Sequence, residues 1–151
     1  MAGDVTRLPW VCCKQVLPQH TDHAGVLWHG SYVAWLEEAR VQALAAAGLA
    51  YADLSAQGLE LMVVDLRLRY LQALAHGEAV ELRSGLQPQV GVRLPFMTRF
   101  LKADGALAAE AVVTLALVDR QRGRLQRQQP PELKKALQRL ADGPVAGCQY
   151  K

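Results

Sequence analysis

Between positions 20 and 32 the chain reads His20-Thr21-Asp22-His23-Ala24-Gly25-Val26-Leu27-Trp28-His29-Gly30-Ser31-Tyr32, an acid, three imidazoles and two glycines in one short stretch. Three readings compete for it. His20, His23 and His29 with Asp22 are suitable metal ligands by type, but their spacing does not match the i, i+4 histidine pair of helical zinc sites. A solvated structural loop is the plain alternative, and it must also account for Gly25 and for a helix starting at Gly30 or Ser31 beside an acid. The third reading is acyl-transfer hydrolysis without a metal or a serine. A helix N-terminus presents unpaired N–H groups and a partial positive charge, which suit an oxyanion developing on a carbonyl. Asp22 then serves as nucleophile or as base for a water, and His29, at the mouth of the helix, holds the water or the carbonyl. Gly25 lets backbone or substrate pass close by without a Cβ clash. No Gly-x-Ser-x-Gly elbow and no phosphate-binding glycine loop favours another chemistry.

The elements on either side must position this stretch. Trp10 to Leu17 reads as a strand closed by Pro18. From Ser31 onward Tyr32, Trp35, Leu36, Ala39, Ala43 and Ala46 fall on one helical face, with Glu37, Glu38, Arg40 and Gln42 mainly elsewhere. Ser31 or Gly30 can cap this helix of about five turns, and Gly48 suits its left-handed stop. Tyr51 to Gln57 adds a short turn. After Gly58 the pattern becomes β: Leu61 to Leu71, Ala79 to Gln87, Arg93 to Lys102 and Leu107 to Asp119, the last two joined at Asp104-Gly105. Pro95 predicts an edge or a bulge. Pro130-Pro131 opens a final amphipathic helix, Glu132 to Leu140. One long apolar helix followed by antiparallel strands predicts an α+β fold with the sheet wrapped around that helix.

A chain of 151 residues with 51% apolar and 21% charged residues is expected to form one domain, 1–151, with a real core. A formal net charge of +3 is too small to argue for nucleic-acid binding. The run Arg120, Arg122, Arg124 and Arg127 reads as a solvated hairpin end or, more sharply, as a phosphate contact. No N-terminal apolar stretch has signal-peptide length and none approaches a membrane span, so a cytoplasmic protein is expected. Cys12, Cys13 and Cys148 are expected to be reduced and structural, since neighbours on a strand point to opposite faces. Trp28 and Tyr32 flank the reactive stretch and are able either to stack on a substrate ring or to pack into the core.

The segment TDHAGVLWHGSYVAWLEEAR resembles the first motif of the hotdog-fold acyl-CoA thioesterases, in the branch that holds 4-hydroxybenzoyl-CoA thioesterase and the Tol-Pal-associated thioesterase. Asp22, Gly25, Leu27 (for the usual Val), His29, Tyr32, Trp35, Glu38, Ala39 and Arg40 meet that motif. The resemblance extends over about residues 8 to 140, through LMVVDLRLRYLQAL and ALVDRQRGRLQRQQPPEL. It implies a long central helix wrapped by a five-stranded antiparallel sheet. It implies hydrolysis of an acyl-CoA with no cofactor beyond the coenzyme A of the substrate, and active sites at the interface of a homodimer or homotetramer. By resemblance Asp22 is the catalytic carboxylate and His29 the second site residue, while the His29 and Gly30 amides polarise the carbonyl. A further amide falls near Met62 or Val63, where relatives carry Pro-Val-Val, and Arg93 is the candidate for holding the nucleotide end of coenzyme A. An aromatic acyl group of 4-hydroxybenzoyl or 1,4-dihydroxy-2-naphthoyl type is favoured over a short aliphatic one. A non-catalytic acyl-CoA-binding module is the alternative from another class, and Asp22 with His29 argues against it.

Overall fold

The computed structural model describes residues 7–145, so Cys148 lies outside the described residues. Strand β1 (Trp10–Gln15) leads through a single 3-10 turn (Pro18–His20) and the hairpin of the reactive stretch into helix α1 (His29–Ala46). Then follow α2 (Tyr51–Ala56), β2 (Leu59–Tyr70), β3 (Ala79–Leu86), β4 (Arg93–Lys102), β5 (Leu107–Asp119), the two-residue β6 (Arg124–Leu125) and α3 (Pro131–Asp142). The sheet runs β1-β3-β4-β5-β2 with every pair antiparallel, and β6 adds a short sixth strand beside β5. One long helix against an antiparallel sheet is the α+β architecture that the apolar pattern predicts.

The register shows how the core meets the helix. Cys12, Leu82, Phe100, Ala109 and Tyr70 form one row across all five main strands. The first four are buried, and Tyr32 of α1 packs edge-on against both Phe100 and Tyr70, at 5.2 and 5.0 Å between ring centroids. Side chains opposite each other on neighbouring strands share a face, so this row fixes the first turn of α1 over the concave side.

Several details depart from the sequence reading. On α1 Ala46 is exposed, whereas Arg40 is buried at 6% exposure with its Nε–H 3.3 Å from the Tyr51 hydroxyl that accepts it. The buried stripe drifts toward α2, which covers the position expected to be polar. Pro95 is neither on an edge strand nor at a bulge: β4 is an inner strand, and its irregularity falls between Phe100 and Leu101. The proline is tolerated because it lies one residue past the last β3–β4 pair, Leu86 with Phe96. Its carbonyl accepts the Gln87 N–H at 2.8 Å, so its donorless nitrogen faces the side where the ladder ends. Cys12 is buried and Cys13 exposed, both free, and burial pushes the Cys12 thiol above its ordinary pKa. Among the described residues no helix is long and apolar enough to cross a membrane.

Candidate active site

The Asp22 stretch is a tight hairpin. Thr21 bridges Leu27, the Asp22 N–H donates to Val26 O at 2.9 Å, and the Gly25 N–H donates to Asp22 O at 3.0 Å. Gly25 has φ +78°, which closes the three-residue loop His23-Ala24-Gly25 with a left-handed residue. Asp22 Oδ1 accepts the Ala24 N–H at 2.8 Å and the Val26 N–H at 3.4 Å. Turn chemistry alone therefore asks for an acid at the first position and glycine at the last. A Cβ on Gly25 would meet no protein atom within 4 Å, so close passage of protein backbone is not why glycine stands there. One Asp22 oxygen is occupied by the turn. Oδ2 has no hydrogen-bond or ion-pair partner among the described residues.

Two bonds to the segment after β2, which make Val26 and Ala75 a bridge pair, seat the hairpin. Leu27 N–H donates to Leu74 O at 2.7 Å and His76 N–H to Gly25 O at 3.0 Å. Its other end is tied to α1 through His20, whose carbonyl accepts the Trp28 N–H and the buried Ser31 hydroxyl, each at 2.9 Å. Because the Ser31 hydroxyl is used there, it does not cap α1. The N-cap is Trp28, in extended conformation and with no side-chain cap bond, rather than Gly30 or Ser31. Trp28 O accepts the Ser31 N–H at 2.8 Å and the Tyr32 N–H at 3.4 Å. The His29 and Gly30 N–H groups have no acceptor among the described residues. Two aligned donors and the positive end of five helical turns thus open beside the Asp22 hairpin, an arrangement suited to binding a carbonyl oxygen as it gains charge.

The two flanking aromatics have different environments. Tyr32 is 3% exposed, and burial first, then the nearby Tyr70 and Glu78, pushes its hydroxyl pKa up to about 12. Its ring belongs to the core. Trp28 is 49% exposed and lies beside the exposed His29 imidazole, ring centroids 4.9 Å apart. The remaining histidines are spread apart in role. His20 accepts the Leu17 N–H on Nδ1 at 3.1 Å and sits edge-on to Trp35 at 5.1 Å, while His23 is exposed at the hairpin tip. Among the described residues no three His, Cys, Asp or Glu side chains are grouped to hold a metal ion.

Met62, Val63 and Arg93 do not join this group within one chain. Met62 and Arg93 both pair with Ala116, one on each side of β5, so they share a row of the sheet. The Tyr70 row, on which the start of α1 rests, lies eight residues further along β2, roughly 25 Å away at strand rise. Between them β2 carries a bulge at Val64, where pairing passes from Val63 with Leu115 to Asp65 with Thr114. The bulge changes the phase of alternation, so Leu66, Leu68 and Tyr70 face the concave side opposite buried Val113, Ala111 and Ala109. Sequence reasoning passed over the His20 carbonyl and the Ser31 hydroxyl, whose tie is a long-range contact with no local signature.

The thioesterase-like superfamily model matches residues 16–140, which include the hairpin, α1 and every strand from β2 to β6. A Synechocystis sp. protein named as an esterase is 36% identical over 127 residues, 83% of this chain and 76% of its own length. The Escherichia coli acyl-CoA thioester hydrolase YbgC is 29% identical over 105 residues, 70% of this chain and 78% of its own. The solved DHNA-CoA thioesterase of Staphylococcus aureus superposes with a TM-score of 0.78 at 24% identity, over 85% of this chain and 87% of that one. The sheet curled on a long helix, the donor pair at the start of that helix and the span of the family match lead to one assignment: the chain belongs to the thioesterase-like superfamily and is a hotdog-fold thioester hydrolase.

Proposed function

We propose that the chain hydrolyses the thioester of an acyl-coenzyme A with an aromatic acyl group, and that it does so as a homo-oligomer built on β2. The observation that carries the reading is the pair of free N–H groups, His29 and Gly30, at the helix start that His20 ties to the Asp22 hairpin. In this reading the thioester oxygen accepts from those amides. Asp22, with Oδ1 fixed by the turn, presents Oδ2 to the carbonyl carbon or to one water. Water supplies the new C–O bond, the C–S bond breaks, and the products are a carboxylate and the coenzyme A thiol. The His29 imidazole, exposed at the mouth, orients the water or the carbonyl. The acyl-CoA substrate is supported by the name of the Escherichia coli relative, and the aromatic acyl group by that of the Staphylococcus aureus structure.

The oligomer follows from the edge. Strand β2 has one partner strand, β5, and it exposes Met62, Val63, Val64, Leu66 and Tyr70 at 40 to 52%. A long apolar edge is a liability unless it is covered. Antiparallel pairing of two β2 strands about a two-fold axis would bring Met62 and Val63 of a second copy alongside Tyr70 of the first, closing the gap of roughly 25 Å. Arg93 of that copy, in the Met62 row, then becomes the candidate for the nucleotide phosphates.

Thiol release from a panel of acyl-CoAs, followed with a chromogenic disulfide reagent, tests the reaction. Turnover is expected on aromatic thioesters such as benzoyl-CoA, ahead of short aliphatic ones. A preference for butyryl-CoA would overturn the aromatic part. Binding without thiol release from any thioester would make the protein an acyl-CoA-binding module.

A further inference from the structure

We infer that Trp28 selects the acyl group, its indole forming one wall of the acyl pocket on which a flat ring stacks; this rests on the thioesterase reading above. The indole is not merely near the helix start. A Cβ placed on Gly30 would lie 2.2, 2.4 and 2.6 Å from Cζ3, Cη2 and Cε3 of Trp28, so the six-membered edge of the indole fills the space a side chain would need. Gly30 is helical and has no positive φ, so conformation does not require glycine at this position. The indole does. A Cβ stands about 2.5 Å from its own nitrogen, which puts the indole edge no more than about 5 Å from the Gly30 nitrogen. That nitrogen carries one of the two free donors. An acyl group whose carbonyl oxygen sits about 3 Å from that nitrogen starts within about 8 Å of the indole edge, so a ring carried on the carbonyl carbon can reach the indole face.

The rest of the surroundings hold the indole in place and leave part of it uncovered. The His29 ring packs on it at 57° between ring planes, and the backbone N–H of Trp28 donates to His20 O at 2.9 Å. With two sides occupied, Trp28 is still 49% exposed. The other two tryptophans, Trp10 and Trp35, are each 2% exposed and fully engaged in the core. Tyr32, the other flanking aromatic, is buried against Phe100 and Tyr70. Tyr70 is also exposed, at 52%, but it lies on the β2 edge that the proposed oligomer covers, so Trp28 is the aromatic beside the free donors with a surface to offer.

The readout is a ratio: kcat/KM on benzoyl-CoA divided by kcat/KM on butyryl-CoA. Trp28→Ala is expected to lower it about tenfold, the scale of one lost aromatic contact, whereas Trp28→Phe keeps it within about threefold. Gly30→Ala is the second variant. It keeps the indole but displaces it from its seat, and it is expected to lower the ratio as well, in a helix that tolerates alanine better than glycine. A purely structural role for Trp28 would slow both substrates alike, and an unmoved ratio in Trp28→Ala overturns the proposal. Binding supplies an independent reading in the wild-type protein. A non-hydrolysable phenacyl thioether of coenzyme A should shield the exposed tryptophan from acrylamide quenching more than an acetonyl thioether does. Equal shielding, or none, counts against Trp28. Should no thioester be turned over, the hydrolase reading fails, and the quenching comparison still decides whether Trp28 meets a bound aromatic acyl group.

Discussion

The hairpin at the start of α1 and the edge of β2 treat their polar and apolar groups in opposite ways. The hairpin satisfies most of itself: turn, bridge and His20 carbonyl consume its donors, leaving the His23 N–H at the exposed tip, the His29 and Gly30 N–H groups and one carboxylate oxygen. The β2 edge satisfies little of itself. It has β5 on one side only, and five of its apolar side chains are exposed. A region finished apart from a few reactive groups suits chemistry, whereas one unfinished along its whole length suits pairing with another chain. On the proposed reading, the difference separates what one subunit does alone from what a second copy completes. On that reading it also accounts for Met62 and Val63 lying at the far end of β2 from Asp22.

The largest effect is expected from the free groups of the hairpin. Asp22→Asn should lower turnover at least ~100-fold, the scale of a lost nucleophile or general base. Its amide oxygen can still accept the Ala24 N–H, so far-UV circular dichroism and melting temperature should stay close to wild type. Asp22→Ala removes the turn acceptor as well and should cost about 1 kcal/mol of stability in addition. If the Asn variant melted like the Ala variant and kept its turnover, Asp22 would be a turn residue and nothing more.

Leu66→Lys probes the other region. Leu66 is exposed on β2 between the bulge and Tyr70, and a lysine there guards the edge against pairing. Losing a buried leucine contact should weaken self-association roughly 10- to 100-fold. In sedimentation velocity the variant should shift toward the monomer, and turnover should fall on dilution and recover with concentration. A fully active monomer would break the comparison, since the hairpin would then suffice alone.

The sequence carried the fold further than the site. β4 and β5 begin and end where alternation and the Asp104-Gly105 turn predict, because both signals are local. The Val64 bulge was not legible, since a run such as LMVVDLRLRY alternates acceptably in either phase and only pairing with β5 decides. The buried Arg40 was missed for a similar reason: its environment is α2, brought back by the chain turn after Gly48, which has φ +104°. At the site, Asp22 and Gly25 stood out in the sequence, yet a hairpin alone would select both residue types. What sequence could not supply was the Ser31 hydroxyl turned back to His20 and the indole laid over Gly30, two contacts that depend on the path of the loop. Gly30 held the clearest unread signal. A glycine in the first turn of a helix, just after a tryptophan, has no conformational reason to be there.

The smallest effect is expected from Ser31→Ala, and it tests how the hairpin and the helix are coupled. The Ser31 hydroxyl is buried and donates to His20 O at 2.9 Å, while the Trp28 N–H donates to the same oxygen. Removing the hydroxyl leaves that carbonyl with one donor, so the loss is a single neutral hydrogen bond, about 1 kcal/mol. Alanine's better helix propensity returns up to about 0.5 kcal/mol, and the melting temperature should drop by only a few degrees. The consequence for chemistry should be more visible than the one for stability. With a looser tie, the Asp22 carboxylate and the His29 and Gly30 donors keep their identities but lose their fixed relation, so kcat should fall about three- to tenfold with little change in KM. Hydrogen exchange gives the local measure: the Trp28 amide should exchange faster, and the Gly25 amide, bonded within the turn, should not. An unchanged Trp28 amide together with an unchanged kcat would mean that the bonds to Leu74 and His76 hold the hairpin in place without help from the helix.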